Sequence, residues 1–261
     1  MGKELNEVII SKAIVETYIE EFINNLEVDV VIAGAGPSGL VASYYMSKSG
    51  LRVAVFEKKL SIGGGMLAGG MMFNRIVVQE EGKQILDNFE INYTEYQKGY
   101  YTADAIECTS AISYRSIKNG VKIFNGIMLE DVVLKDGRVC GAVVNWSAVE
   151  VAGLHVDPLV VLSKYVVDAT GHPAYIVTNL VKKTGVKLKT ETGELVGERP
   201  MWAEKGEQGT VENTKEAYPG LYVSGMAANA VFGKYRMGPI FGGMFLSGKK
   251  VAEEIVKKIK G

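Results

Sequence analysis

The string Gly34-Ala35-Gly36-Pro37-Ser38-Gly39 constrains this chain more than any other feature in it. Alone, a GxGxxG is weak evidence; its flanks make it informative. It is preceded by Val28–Ala33, a β-branched run that reads as a central parallel strand buried on both faces. After it, Pro37–Lys48 reads as a helix and Arg52–Phe56 as a second strand, ending at Glu57, eighteen residues past Gly39. Strand, helix, strand at this spacing is a right-handed crossover unit. Gly34 and Gly36 let the backbone turn tightly and admit a pyrophosphate, and Gly39 lets the helix approach the strand. The helix N-terminus presents unpaired N–H groups and a partial positive charge to the phosphates, and Ser38 can add its hydroxyl. Glu57 accepts ribose hydroxyls and repels a 2′-phosphate, which favours NAD or FAD over NADP, although Lys58 next to it softens that preference.

Composition removes several other classes. With 261 residues, 47% hydrophobic and 23% charged, the chain is long enough for a full core and too balanced to be disordered. A net charge of −1 leaves no surplus for a phosphate backbone or an anionic membrane face. Apolar runs such as Val30–Ala35 are far below the roughly 18 residues of a spanning helix, and the start MGKELNEV lacks the apolar stretch of a signal peptide. The expected location is cytoplasmic. Two cysteines, Cys108 and Cys140, build neither a disulfide framework nor a Cys-based zinc site and read as packing residues. The 31 glycines cluster at Gly34–Gly39, Gly63–Gly70 and Gly238–Gly248, where backbone approaches a ligand closely.

Residues 1–26 hold an amphipathic helix, with an oily face at Leu5, Ile9, Val15, Ile19, Phe22 and Leu26 that packs on its own domain or covers a neighbouring subunit. Residues 27–261 read as a single dinucleotide-binding α/β domain. An inserted segment at about 66–118 loosens into Gly, Met, Asn and aromatic residues and then a helix from Thr102 to Asn119. Val121–Phe124, Met128–Lys135, Val139–Ser147 and Tyr165–Asp168 are strand-like, with Asp136-Gly137 as a hairpin turn, and indicate a small antiparallel lobe. Leu221–Val223 is a further strand, and Gly238–Lys260 a closing helix with a glycine-rich start.

The only histidines, His155 and His172, flank a stretch that includes Asp157. In an extended segment His155 and Asp157 share a face, and His172 follows a strand and a turn, so the three can converge. Imidazole nitrogen with carboxylate oxygen suits Fe(II), Zn or Mn and leaves positions open for substrate. The alternative is a capping or core histidine at His172 and a turn cap at Asp157.

Gly63-Gly64-Gly65, Asp168-Ala169-Thr170-Gly171 and Pro219–Gly225 resemble the glutathione-reductase-like superfamily, a Rossmann-type dinucleotide-binding α/β fold with a central parallel sheet. Where flavin members place an Asp after the last motif, this chain has Met226, whose thioether is a poor hydrogen-bond partner; no flavin is expected. Val30–Gly39 with Glu57-Lys58, His155–Pro158, Asp168–Ala174 and Arg236–Gly243 resemble, more specifically, the archaeal branch of the thiazole synthase family of thiamine biosynthesis. That resemblance implies an enzyme, a transferase, that uses NAD as substrate. Nicotinamide is released, glycine condenses with the opened ADP-ribose, and sulfide enters to close an ADP-linked thiazole carboxylate, with Fe(II) required. The eukaryotic branch has a self-sacrificing cysteine where this chain has His155, so free sulfide and multiple turnovers are implied. By the same resemblance Ser38, Glu57, Lys58, Gly65, Leu129, His155, Val156, Asp157 and Met226 contact the NAD-derived adenylate. Asp157 and His172 bind the metal from adjacent subunits of a homo-oligomer, and His155, Asp157 and His172 form the catalytic set. Arg236 clamps the glycine carboxylate with its guanidinium fork; its alternative is a surface ion pair. A flavin-dependent oxidoreductase of the same superfamily and a non-catalytic NAD, ADP-ribose or sulfur/iron carrier are the competing readings.

Overall fold

The computed structural model describes residues 5–261. Helix α1 (Glu7–Ile23) starts where the Asn6 side chain accepts the N–H groups of Val8 and Ile9. Residues 1–4 of the predicted helical segment lie outside the described residues. β1 (Glu27–Ala33), α2 (Pro37–Lys48) and β2 (Val53–Glu57) form the expected crossover, with β1 and β2 parallel. The next segment is more regular than its composition predicts. β3 (Arg75–Gln79), β4 (Tyr93–Gln97) and β5 (Tyr100–Asp104) make an antiparallel sheet in the order β3-β5-β4, with α3 (Glu80–Asn88) after β3. Helix α4 (Ala105–Lys118) therefore begins three residues later than expected: Thr102 pairs within the sheet, and Asp104 caps the helix by accepting from Ile106 and Glu107.

β6 (Lys122–Asn125) joins the parallel edge beside β2 rather than the antiparallel lobe. That lobe is β7 (Ile127–Lys135) and β8 (Arg138–Trp146), closed by Asp136-Gly137 at φ 48° and 73°, the left-handed pair of a tight hairpin. After the short α5 (Ser147–Val151), β9 (Leu159–Asp168) is six residues longer at its start than expected. Its first half pairs antiparallel with β8 and its second half parallel with β1 and β12, so one strand joins both parts of the sheet. Then come α6 (Tyr175–Thr184), β10 (Arg199–Met201), α7 (Ala203–Asn213), β11 (Lys215–Tyr218), β12 (Leu221–Val223), α8 (Met226–Phe232), β13 (Tyr235–Arg236) and α9 (Gly242–Lys260). α9 starts at Gly242 rather than Gly238: Gly238, at φ 78°, and Pro239 keep the preceding residues in a loop.

The eight-stranded sheet runs β11-β12-β9-β1-β2-β6, with β7 and β8 continuing from β9. Alternation along β1 sends Val30 and Ile32 to a core with Leu40 and Phe245, and Val31 and Ala33 to one with Val177 and Val231. Helices thus cover both faces, as a parallel sheet requires. α1 rests on the second core through Tyr18 and Phe22 against Phe124, while Val8, Ile9, Ile14, Val15, Ile19 and Ile23 stay exposed. Among the described residues no helix is long and apolar enough to cross a membrane.

Candidate active site

The carboxyl ends of β1, β2 and β9 open into a cavity of about 1140 Å³. Gly34 leaves β1 at φ 101°; a Cβ there would sit 2.6 Å from the Ala169 carbonyl oxygen. On Gly39 it would sit 2.2 Å from the Gly34 carbonyl oxygen, so only glycine lets α2 start this close to β1. Gly36 gives α2 no side-chain cap, which leaves first-turn N–H groups for a ligand. The Glu57 carboxylate is buried and accepts the N–H of Ala35 at 2.8 Å and of Lys59 at 2.9 Å. These bonds hold it beside the glycine turn with lone pairs to spare for ribose hydroxyls.

Gly34, Gly36, Ser38, Glu57, Lys58, Gly65, Leu129 and Met226 all line this cavity, and so do His172 and Arg236. Gly39 packs behind it. His155, Val156 and Asp157 do not line it; they lie on an exposed segment held by the Asn145 amide donating to the Val156 carbonyl. The expected convergence of His155, Asp157 and His172 within one chain therefore fails, for a geometric reason. Asp157 precedes β9 and His172 follows it, and a ten-residue strand spans about 30 Å. No cluster of three or more metal-ligating side chains occurs among the described residues.

His172 is nevertheless firmly placed. Buried Asp168 accepts from Thr170 through both N–H and hydroxyl, and from the N–H groups of Ile176 and Val177 at the start of α6. The Thr170 hydroxyl in turn accepts the Tyr175 N–H, closing the turn that carries His172. Burial pushes the Asp168 carboxyl up, and these donors oppose it. The His172 ring sets Nδ1 2.9 Å from both oxygens of Glu198, a residue that no sequence motif singled out. Arg236 lies on β13, which pairs with β10, and its carbonyl accepts the Trp202 N–H. Among the described residues Arg236 makes no ion pair, so the surface-pair alternative is not what the structure shows.

Behind the loop from Arg236 to Phe241 lies a second carboxyl absent from the sequence reading. Glu207 of α7 accepts the N–H of Gly243 and the Gln79 amide, both at 2.5 Å, and so caps an α9 that has no side-chain cap of its own. Burial pushes its carboxyl up to about 7; the two donors oppose this and nearby Glu81 adds to it. Neither thiol reaches the cavity: burial pushes Cys108 up to about 12, and half-buried Cys140 donates to the Val133 carbonyl.

A glycine-turn cradle outside the carboxyl ends of a parallel sheet, with an acidic residue ending the second strand, defines a Rossmann-type dinucleotide-binding α/β protein. Comparison with known proteins narrows that class. The Thi4 family profile matches residues 11–241. The thiamine thiazole synthase of Pyrococcus horikoshii is 59% identical over 256 residues, covering 98% of this chain and 99% of the relative. That of Methanothermobacter thermautotrophicus is 55% identical over 257 residues, covering 98% and 100%. The crystal structure of Thermovibrio ammonificans THI4 superposes with a TM-score of 0.97 at 58% identity, covering 99% of this chain and all of that one. The chain belongs to the Thi4 family.

Proposed function

We propose that this chain is an enzyme of thiamine biosynthesis, a thiazole synthase that consumes NAD, glycine and sulfide and releases nicotinamide and an ADP-linked thiazole carboxylate. One observation carries the reading: a single cavity joins a nucleotide cradle at Gly34–Gly39 and Glu57 to a histidine and a guanidinium, His172 and Arg236. Family membership and near full-length relatives named thiamine thiazole synthase support it.

In this reading the α2 N-terminus binds the pyrophosphate, Glu57 takes the adenosine ribose, and Lys58, Gly65, Leu129 and Met226 complete the adenylate contacts. Arg236 lines the cavity and its fork has no partner among the described residues, which suits it to the glycine carboxylate. The chain's own thiols are buried or outside the cavity, and a nucleophilic sulfur must be ionised, so external sulfide is the sulfur source. This agrees with a histidine at position 155 and permits repeated turnover. Met226 offers a flavin no strong acceptor, and we assign none.

Asp157 and His172 supply the carboxylate oxygen and imidazole nitrogen that suit Fe(II), but at opposite ends of β9. The donor set fits an ion only when Asp157 of one copy meets His172 of another. Fe(II), when bound, would supply a Lewis-acidic centre for sulfide. The surface around Asp157 supports such pairing. Exposed Leu154, Val156, Leu159 and Val160 continue through Trp146, stacked on Tyr18, to the apolar face of α1. We therefore assign a homo-oligomer in which that surface is covered by other copies. Anaerobic incubation with NAD, glycine, sulfide and Fe(II) tests the function. Nicotinamide release that depends on the protein, with an adenylated thiazole formed, is expected; neither product forming would leave a nucleotide-binding carrier instead.

A further inference from the structure

We infer that Glu198 is the positioning residue that fixes the tautomer of His172 and ties it mechanically to the ribbon carrying Arg236. An ionised carboxylate only accepts hydrogen bonds, so an imidazole nitrogen 2.9 Å from both its oxygens must carry the proton. In the neutral ring that places N–H at Nδ1 and leaves Nε2 with its lone pair. The structure gives Nε2 no hydrogen-bond partner among the described residues, and the ring lines the cavity. Burial orders the pair: the Glu198 side chain is 20% exposed and that of His172 46%, so the carboxylate sits behind and the ring in front.

Glu198 is itself anchored. The next residue, Arg199, begins β10, donates its N–H to the Lys234 carbonyl and pairs with Tyr235 of β13. The residue after Tyr235 is Arg236. One carboxylate thus links a histidine placed by the β9–α6 turn to the strand pair that places the guanidinium. What Glu198 confers on the ring is a standing acceptor at Nε2, which can ligate a metal or take a proton. The metal use rests on the function proposed above; the tautomer does not.

With only two histidines in the chain, ¹⁵N NMR of the imidazoles in the metal-free protein reads this directly, at a pH where both rings are neutral. The wild type is expected to show one ring as the Nδ1–H tautomer. Glu198→Ala should return that ring to the Nε2–H form that predominates in free histidine. Glu198→Gln, whose carboxamide oxygen still accepts, should retain much of the Nδ1–H form and covers the case in which the alanine variant does not fold. Identical ring signatures in wild type and Glu198→Ala, or a wild type with both rings as Nε2–H, would overturn the inference. Titration with Co(II) alone separates it from the metal reading. Affinity about ten- to a hundredfold weaker in Glu198→Ala, partly restored in Glu198→Gln, supports both. A tautomer switch with unchanged Co(II) affinity supports the positioning role and overturns any contribution of Glu198 to metal binding.

Discussion

Replacing Glu207 with Gln should change how the protein's stability depends on pH. The native carboxyl is pushed from its ordinary 4.5 up to about 7, chiefly by burial. A raised carboxyl pKa means that the folded state binds more protons than the unfolded one. Stability therefore falls as pH rises from about 4.5 through about 7, then levels off. At ~1.36 kcal/mol per pH unit the full effect is about 3 kcal/mol, of which about 2 kcal/mol accrues between pH 5 and 8. Glutamine keeps the size and the acceptor for the Gly243 N–H but cannot ionise. Its amide also brings a donor to a buried cluster in which the Gln79 and Glu207 Oε1 atoms both lack one. Urea denaturation of both proteins at pH 5 and pH 8, at one protein concentration, measures the difference. Groups such as Asp168 titrate in both proteins and cancel. The variant should gain about 2 kcal/mol on the wild type between the two pH values, a relative midpoint shift of about 0.7 M urea for a slope of ~3 kcal/mol/M. Parallel pH profiles would refute the burial of an ionisable carboxyl at the α9 N-terminus.

Other expectations follow from the same geometry. Gly39→Ala places a methyl 2.2 Å from the Gly34 carbonyl oxygen; it should cost about 1–3 kcal/mol in thermal unfolding and abolish NAD binding by calorimetry, and unchanged binding would contradict the cradle. Arg236→Lys keeps the charge but loses the fork, so the KM for glycine should rise about tenfold, a loss of about 1.4 kcal/mol, while NAD binding is unaffected; an unchanged KM removes the clamp. Val15→Glu with Ile19→Glu puts two charges on the exposed face of α1 and should shift sedimentation toward smaller species; identical profiles would mean that this face is not an assembly surface.

The parts of the fold that the sequence makes legible are those with a strong local cause. Pro37 and the glycine turn fix α2 to the residue, and Asp136-Gly137 can scarcely do anything but close a hairpin. β4 and β5 are short and carry polar residues on exposed positions, and β3 offers only the three-residue run Ile76–Val78 in a segment loosened by Gly, Met and Asn. The first half of β9 carries its own signal, the apolar run Leu159–Leu162, and only Ser163-Lys164 separates that run from the buried second half. At the site, the cradle residues act through neighbours in sequence and were legible. Glu198 and Glu207 act on His172 and Gly243, residues 26 and 36 positions away, and nothing local marks them. The three residues His155, Asp157 and His172 can converge within one chain only if the strand between them is short, and β9 is ten residues long; the pairing of Asp157 with His172 across adjacent subunits does not depend on that length.

The most direct test of the central claim, that the cradle holds NAD as a reactant to be consumed, is the mass of whatever small molecule stays with the purified protein. An adenylated sugar or an adenylated thiazole is predicted. A stoichiometric, tightly held isoalloxazine dinucleotide would contradict the account, because it would make the cavity a flavin site despite Met226.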